Sequence, residues 1–179
     1  MKTAIKYIFL ALLITTLSGC IEVKFRESQP KGVAVLMEIP DDFRGTYLNE
    51  DGDTLIINAT DFVLLNRESE CNKLTEKEAL SDRLLIKVWK DYLFFNQNED
   101  SLWTVALIQK ITDDHFIFSL IDAENEETLK GISSITRMDT HLDEYGDPMI
   151  YVVDPVNNEL EDLITQGIFD ISYNFRRLQ

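Results

Sequence analysis

From Phe43 onward the chain is cut into short runs rich in Ile, Val, Leu, Phe and Tyr, separated every eight to twelve residues by clusters of Asp, Asn, Gly and Glu. That spacing is the mark of antiparallel strands joined by hairpins. "TLIINATDFVLL" reads as two strands around Asn58-Ala59-Thr60-Asp61, and "LLIKVWKDYLFF" as two around Lys90-Asp91. In "SLWTVALIQKITDDHFIFSLID" the turn falls near Thr112-Asp113-Asp114. Side chains alternate along a strand, so Trp103, Val105 and Leu107 share one face, and Phe116, Phe118 and Leu120 share another. These six are expected in the core. The opposite faces carry Leu102, Ile108 and Ile117, so the hairpin is expected to be central, covered at least partly on both sides.

Two helices are expected among the strands. "LTEKEALSD" suggests a short one over about Thr75 to Ser81. A second begins with Asp154 as cap and Pro155 in the first turn, carries an apolar stripe of Leu160, Leu163 and Ile164, and stops at Gly167. An alternating strand from Ile168 to Arg176 closes the chain. The expected fold is mainly β: a single antiparallel meander, barrel-like or two-layer, with one short helix and one helix near the C-terminus. "NEDGDTLIINATDFVLLN" and "NEDSLWTVALIQKITDDHFIFSL" share an Asn-Glu-Asp start, a strand, a Thr-Asp turn and a second strand. Either duplication or the common use of acidic turns accounts for this.

The first twenty residues follow a different logic. Lys2 and Lys6 give a basic start, Tyr7 to Leu17 is an uncharged run of 11 residues, and Leu17-Ser18-Gly19-Cys20 follows. Eleven residues fall short of the ~20 needed to span a bilayer as a helix, and fit the core of a secretory signal. Leu, two small residues and Cys resemble the lipobox of bacterial lipoprotein precursors. The resemblance implies a diacylglyceryl group on the Cys20 sulfur, cleavage before Cys20, and an acylated N-terminus there. It divides the chain into a signal peptide over 1–19, a tether over 20–40 broken by Gln29-Pro30-Lys31-Gly32, and one β-rich domain over 41–179. Removing residues 1–19 from the 179 leaves 160, enough for a core of its own. Ile21 is not the Asp that favours inner-membrane retention in some bacteria, so an outer-membrane site, facing periplasm or cell surface, is expected.

Charge narrows the partners. Without the two signal lysines, 15 basic side chains face 32 acidic ones, a balance of −17. Such a body is repelled by nucleic acid and by anionic lipid faces. The expected partners are the membrane, through the N-terminal lipid, and an envelope protein or glycan. With Cys20 acylated, Cys71 has no partner in the chain, which leaves neither a disulfide framework nor a cysteine metal site.

Motifs for chemistry are sparse. "GISSI" lacks the second glycine of a nucleophile elbow, and neither a phosphate loop nor a dinucleotide fingerprint occurs, so no cofactor is expected. Asn49, Asp51 and Asp53 alternate as in a calcium loop, but the glycine and distal Glu of such a loop are missing, and a tight acidic turn is expected instead. Asp139, His141 and Asp143 alternate at a period of two; on one strand face they would suit a divalent ion and, with an open position, a hydrolase. A solvated acidic loop is the competing reading. Trp89, Tyr92 and Trp103 suit either a sugar-stacking platform or the core.

Beyond the signal, "IPDDFRGTY" is similar to the entry of lipocalin-like barrels, with Gly45-Thr46-Tyr47 in place of their Gly-x-Trp; this implies a carrier of a small apolar ligand. The layout "QPKGVAVLMEIP…GTYL…DTLII" resembles small lipoproteins of Bacteroidetes-type bacteria. That resemblance implies O-glycosylation at Thr54 and Ser101, in Asp-Thr-Leu and Asp-Ser-Leu. The expected role is that of a lipid-anchored envelope protein with a non-catalytic binding or structural domain; an apolar-ligand carrier and a metal-dependent hydrolase are the alternatives.

Overall fold

The computed structural model describes residues 21–65 and 75–178. These form one mixed sheet of twelve strands: β1 (Glu22–Phe25), β2 (Gly45–Asn49), β3 (Thr54–Ile57), β4 (Asp61–Leu65), β5 (Thr75–Ala79), β6 (Leu84–Trp89), β7 (Tyr92–Glu99), β8 (Leu102–Thr112), β9 (His115–Leu120), β10 (Met138–Leu142), β11 (Pro148–Val153) and β12 (Ile171–Arg177). Two α-helices, α1 (Glu126–Ile135) and α2 (Asn157–Thr165), and a 3-10 turn over Asp41–Phe43 complete them. The fold is mainly β, with a helix near the C-terminus, as expected.

β8, at 11 residues, organises the sheet. Along one edge it pairs with β7, from Tyr92↔Gln109 to Glu99↔Leu102. The other edge is shared: its C-terminal half pairs with β9, while Trp103 pairs with Phe25 of β1. Two arms therefore leave β8, one running β9-β12-β2-β3-β4-β5 and the other β1-β11-β10. The sheet does not close into a barrel, and the meander is not antiparallel throughout, because β1 runs parallel to β11.

The central hairpin is covered on both sides. Val105 and Leu107, with Trp103 beside them, join Phe25, Val153 and the buried faces of both helices in one core. Phe116 and Phe118 point the other way and meet Ile39, Tyr47, Ile57 and Phe175 in a second. The register explains the split. Ile108 stands opposite Phe118, and Lys110 opposite Phe116, so the two expected triplets occupy opposite faces.

Two expectations need correcting here. Residues 20–40 are not a tether from Glu22 on: β1 is inserted between β8 and β11, and Phe25 and Ile39 are buried. The polar run that suggested a tether is used internally. The backbone of Gln29 donates to Asn96 Oδ1 (2.5 Å) and accepts from Asn96 Nδ2 (2.9 Å). Lys87 Nζ donates to the carbonyls of Ser28 (2.8 Å) and Pro30 (2.9 Å). The helix expected over Thr75–Ser81 is instead strand β5, paired with β4 from Asp61↔Ala79 to Leu65↔Thr75. Edge pairing overrides the helix preference of Glu, Lys and Ala, and a charged edge strand resists further association.

α1 arises where no helix is expected. Asn125 caps it, its side chain accepting from the Glu127 and Thr128 amides. Gly131 lets the helix lie close to Ile168, since a Cβ there would stand 2.5 Å from Ile168 Cδ1. α2 keeps its expected stripe, with Leu160 and Leu163 buried, and its stop, with Gly167 in the left-handed region at φ 73°. Its N-cap is Val156 rather than Asp154, which pairs with Lys31 at 2.5 Å.

Candidate functional site

Two concave features stand out. The first is an open groove of about 790 Å³, formed where the 3-10 turn meets the β6–β7 and β8–β9 turns. Its walls include Asp42, Phe43, Val88, Tyr92, Lys110 and Asp113. Lys90 adopts φ 54°, the left-handed geometry of a two-residue hairpin turn. Its ammonium lies over the Trp89 ring, 4.7 Å from the centroid, and pairs with Glu161 of α2.

Lys110 bridges the groove. Its Nζ stands 2.9 Å from Asp113 Oδ1 and 3.3 Å from Asp42 Oδ2. The hydrogen bond to Asp113 raises the Lys110 pKa above its ordinary 10.5, and the same bond lowers that of Asp113 below 3.8. Both groups move away from neutrality, the reverse of what proton transfer at pH 7 requires. The groove offers shape, apolar contact and fixed charge for recognition. Its volume falls within the ~300–1,000 Å³ usual for ligand pockets.

The second feature is an apolar cavity of about 60 Å³ between β3–β4 and β6–β9, lined by Leu55, Phe62, Leu84, Phe95, Ala106 and Phe118 among others. Phe95 meets Phe62 and Phe118 edge-on at 5.6 and 6.3 Å. At a fifth of the ~300 Å³ lower bound for ligand pockets, it gives no room for the apolar cargo expected of a lipocalin-like carrier. Gly45-Thr46-Tyr47 does occupy a strand. Tyr47 is buried with its hydroxyl donating to the Phe43 carbonyl (2.9 Å) and accepting from Arg177 Nη2 (2.6 Å).

The candidate metal ligands do not converge. Asp139 and His141 alternate along β10, but the register shifts after His141 and Asp143 lies beyond the strand. Arg26 Nη2 donates to Asp139 at 2.6 Å and Arg137 Nε at 3.0 Å; these bonds hold its carboxyl below the usual carboxylate range. Asp143 Oδ1 accepts from the amides of Tyr145 (2.8 Å) and Asp147 (2.9 Å). Among the described residues, no group of three or more His, Cys, Asp or Glu side chains is placed to hold a metal ion.

Thr54 lies in β3 opposite Leu48 and Leu65, and Ser101 is exposed in the β7–β8 turn. Cys20 and Cys71 lie outside the described residues. Trp89, Tyr92 and Trp103 pack against the helix-covered core rather than forming a bare platform. Asn49 and Asp53 close a tight turn, Asn49 Oδ1 accepting from the Asp53 amide at 2.8 Å. That turn uses Gly52 at positive φ, whereas its counterpart at β7–β8 uses Asp100 and Ser101, so the shared Asn-Glu-Asp letters build different turns.

Sequence reasoning passed over the strand lysines. Lys24 and Lys87 are buried; Lys24 Nζ reaches Glu22 (2.6 Å), Glu99 (2.7 Å) and Thr104 (2.7 Å), and burial lowers the Lys87 pKa. The available signal was one lysine inside each apolar run: "EVKF", "LIKVW" and "IQKIT". No family model, curated protein or solved structure matches the chain.

Proposed function

We propose that this is a lipid-anchored cell-envelope protein, held on the outer membrane through acylated Cys20, whose β-rich body is a non-catalytic binding domain. The observation that carries the reading is the order of basic start, apolar run and Leu17-Ser18-Gly19-Cys20. Each buried methylene contributes about 0.8 kcal/mol, and two acyl chains hold stably where one holds marginally. Among the described residues no helix is long and apolar enough to cross a membrane, so the lipid supplies the attachment in this reading. The open groove, with charges fixed away from neutral pKa, supports recognition of an envelope protein segment or glycan.

Fractionation of cells expressing Cys20→Ala tests the anchor. The wild-type chain is expected in the membrane fraction as the shortened form. The variant is expected as an uncleaved precursor or in the soluble fraction. Identical processing and distribution of the two would contradict the proposal.

A further inference from the structure

The β10–β11 hairpin carries an unpartnered apolar end. Leu142, Tyr145 and Met149 are 56%, 82% and 42% exposed, and all lie at or beside its turn. β1 runs parallel to β11 with Glu22 paired to Ile150, one residue from Met149. Paired strands lie about 4.8 Å apart. Cys20 precedes Glu22 by two residues, a reach of at most about 7 Å. An acyl group on Cys20 therefore leaves the body close to this hairpin end, with no spacer to lift the domain away.

Resting on the lipoprotein reading, we propose that the β10–β11 hairpin end is a membrane-contact surface seated in the headgroup layer of the bilayer that holds the anchor. The layer is about 5–8 Å deep on each side, within reach of the anchor, and Tyr is favoured there because its ring is apolar and its hydroxyl stays wet. The charges at this end set the lipid preference. Asp143 is turned inward onto the loop amides, while Glu144 and Asp147 remain exposed among the apolar residues. Exposed carboxylates are repelled by anionic lipid and tolerated by zwitterionic lipid.

The test uses acylated protein in vesicles of phosphatidylethanolamine and phosphatidylcholine that include phosphatidylcholine brominated high on its chains. Tyr145→Trp is compared with Thr60→Trp, at the exposed β3–β4 turn on the other arm of the sheet, after subtraction of the wild-type signal from Trp89 and Trp103. The Tyr145→Trp indole is expected to be quenched at least about twofold more strongly and to emit at shorter wavelength, as an interfacial indole does. Replacing half the lipid by phosphatidylglycerol is expected to reduce that quenching. Equal quenching of the two indoles in acylated protein would overturn the contact and leave the anchor standing. An indole hidden from aqueous acrylamide but untouched by brominated lipid would mean that a second copy covers the hairpin, and would also overturn it. Absence of acyl groups on the purified protein would overturn both readings.

Discussion

Asn96 does the work of a missing strand. It is fully buried in β7, and its side-chain amide pairs with both backbone groups of Gln29, giving the bend after β1 the two hydrogen bonds a neighbouring strand would have supplied. Asn96→Ala leaves a buried N–H and a buried C=O unpaired at about 1–3 kcal/mol each, so a loss of roughly 2–6 kcal/mol is expected. Urea unfolding at neutral pH reads it as a lower midpoint with an unchanged slope; a midpoint within experimental error of wild type would contradict the assignment. This role was not legible in the sequence. Nothing in "YLFFNQNE" singles out this asparagine, and its partner lies 67 residues away. Lys87 was hidden likewise, since only the folded chain brings the Ser28 and Pro30 carbonyls to its ammonium.

Strand β10 shows how an element can resemble a metal site and serve another purpose. Asp139 ties β10 to Arg26, just past the end of β1, so its carboxylate helps fix the arm that ends in the exposed hairpin. Its pKa is lowered first by the Arg26 hydrogen bond and then by Arg137. A carboxyl held lower in the folded state contributes stability that is complete above its unfolded value and is lost as pH falls through the folded one. The contribution of this one carboxylate is therefore expected to fade as pH falls below about 4. Asp139→Asn should flatten the part of that pH dependence due to this residue while leaving the baseline fold at neutral pH intact, as circular dichroism against pH will show. An unaltered acid limb would contradict the clamp. Elements were legible where local pattern and tertiary pairing agree, as in the β3–β4, β6–β7 and β8–β9 hairpins and the Leu160/Leu163 stripe. β5 was misread because its helix-forming letters are outweighed by pairing with β4. α1 was missed because Gly131 and two serines obscure its apolar spacing of Leu129, Ile132 and Ile135.

At the scale of the molecule, the pairing of β1 with β11 has the largest consequence. It joins residues 22–25 to 150–153, which no periodicity announces, and it turns the expected tether into the strand that joins one arm to β8. The groove was equally illegible, because its walls come from three separate turns whose meeting depends on the sheet's topology. The acidic balance of −15, by contrast, was readable from letters alone, and so was the Leu17-Ser18-Gly19-Cys20 stretch on which the proposed anchor rests. The structure adds that strand β1 starts at Glu22, two residues after the proposed attachment point. Intact mass spectrometry of the full-length gene product, extracted from membranes with detergent, tests that account most directly. The expected species begins at Cys20, lacks residues 1–19 and carries a diacylglyceryl group on its first residue. A chain that retains residues 1–19, or begins elsewhere and carries no lipid, would contradict it.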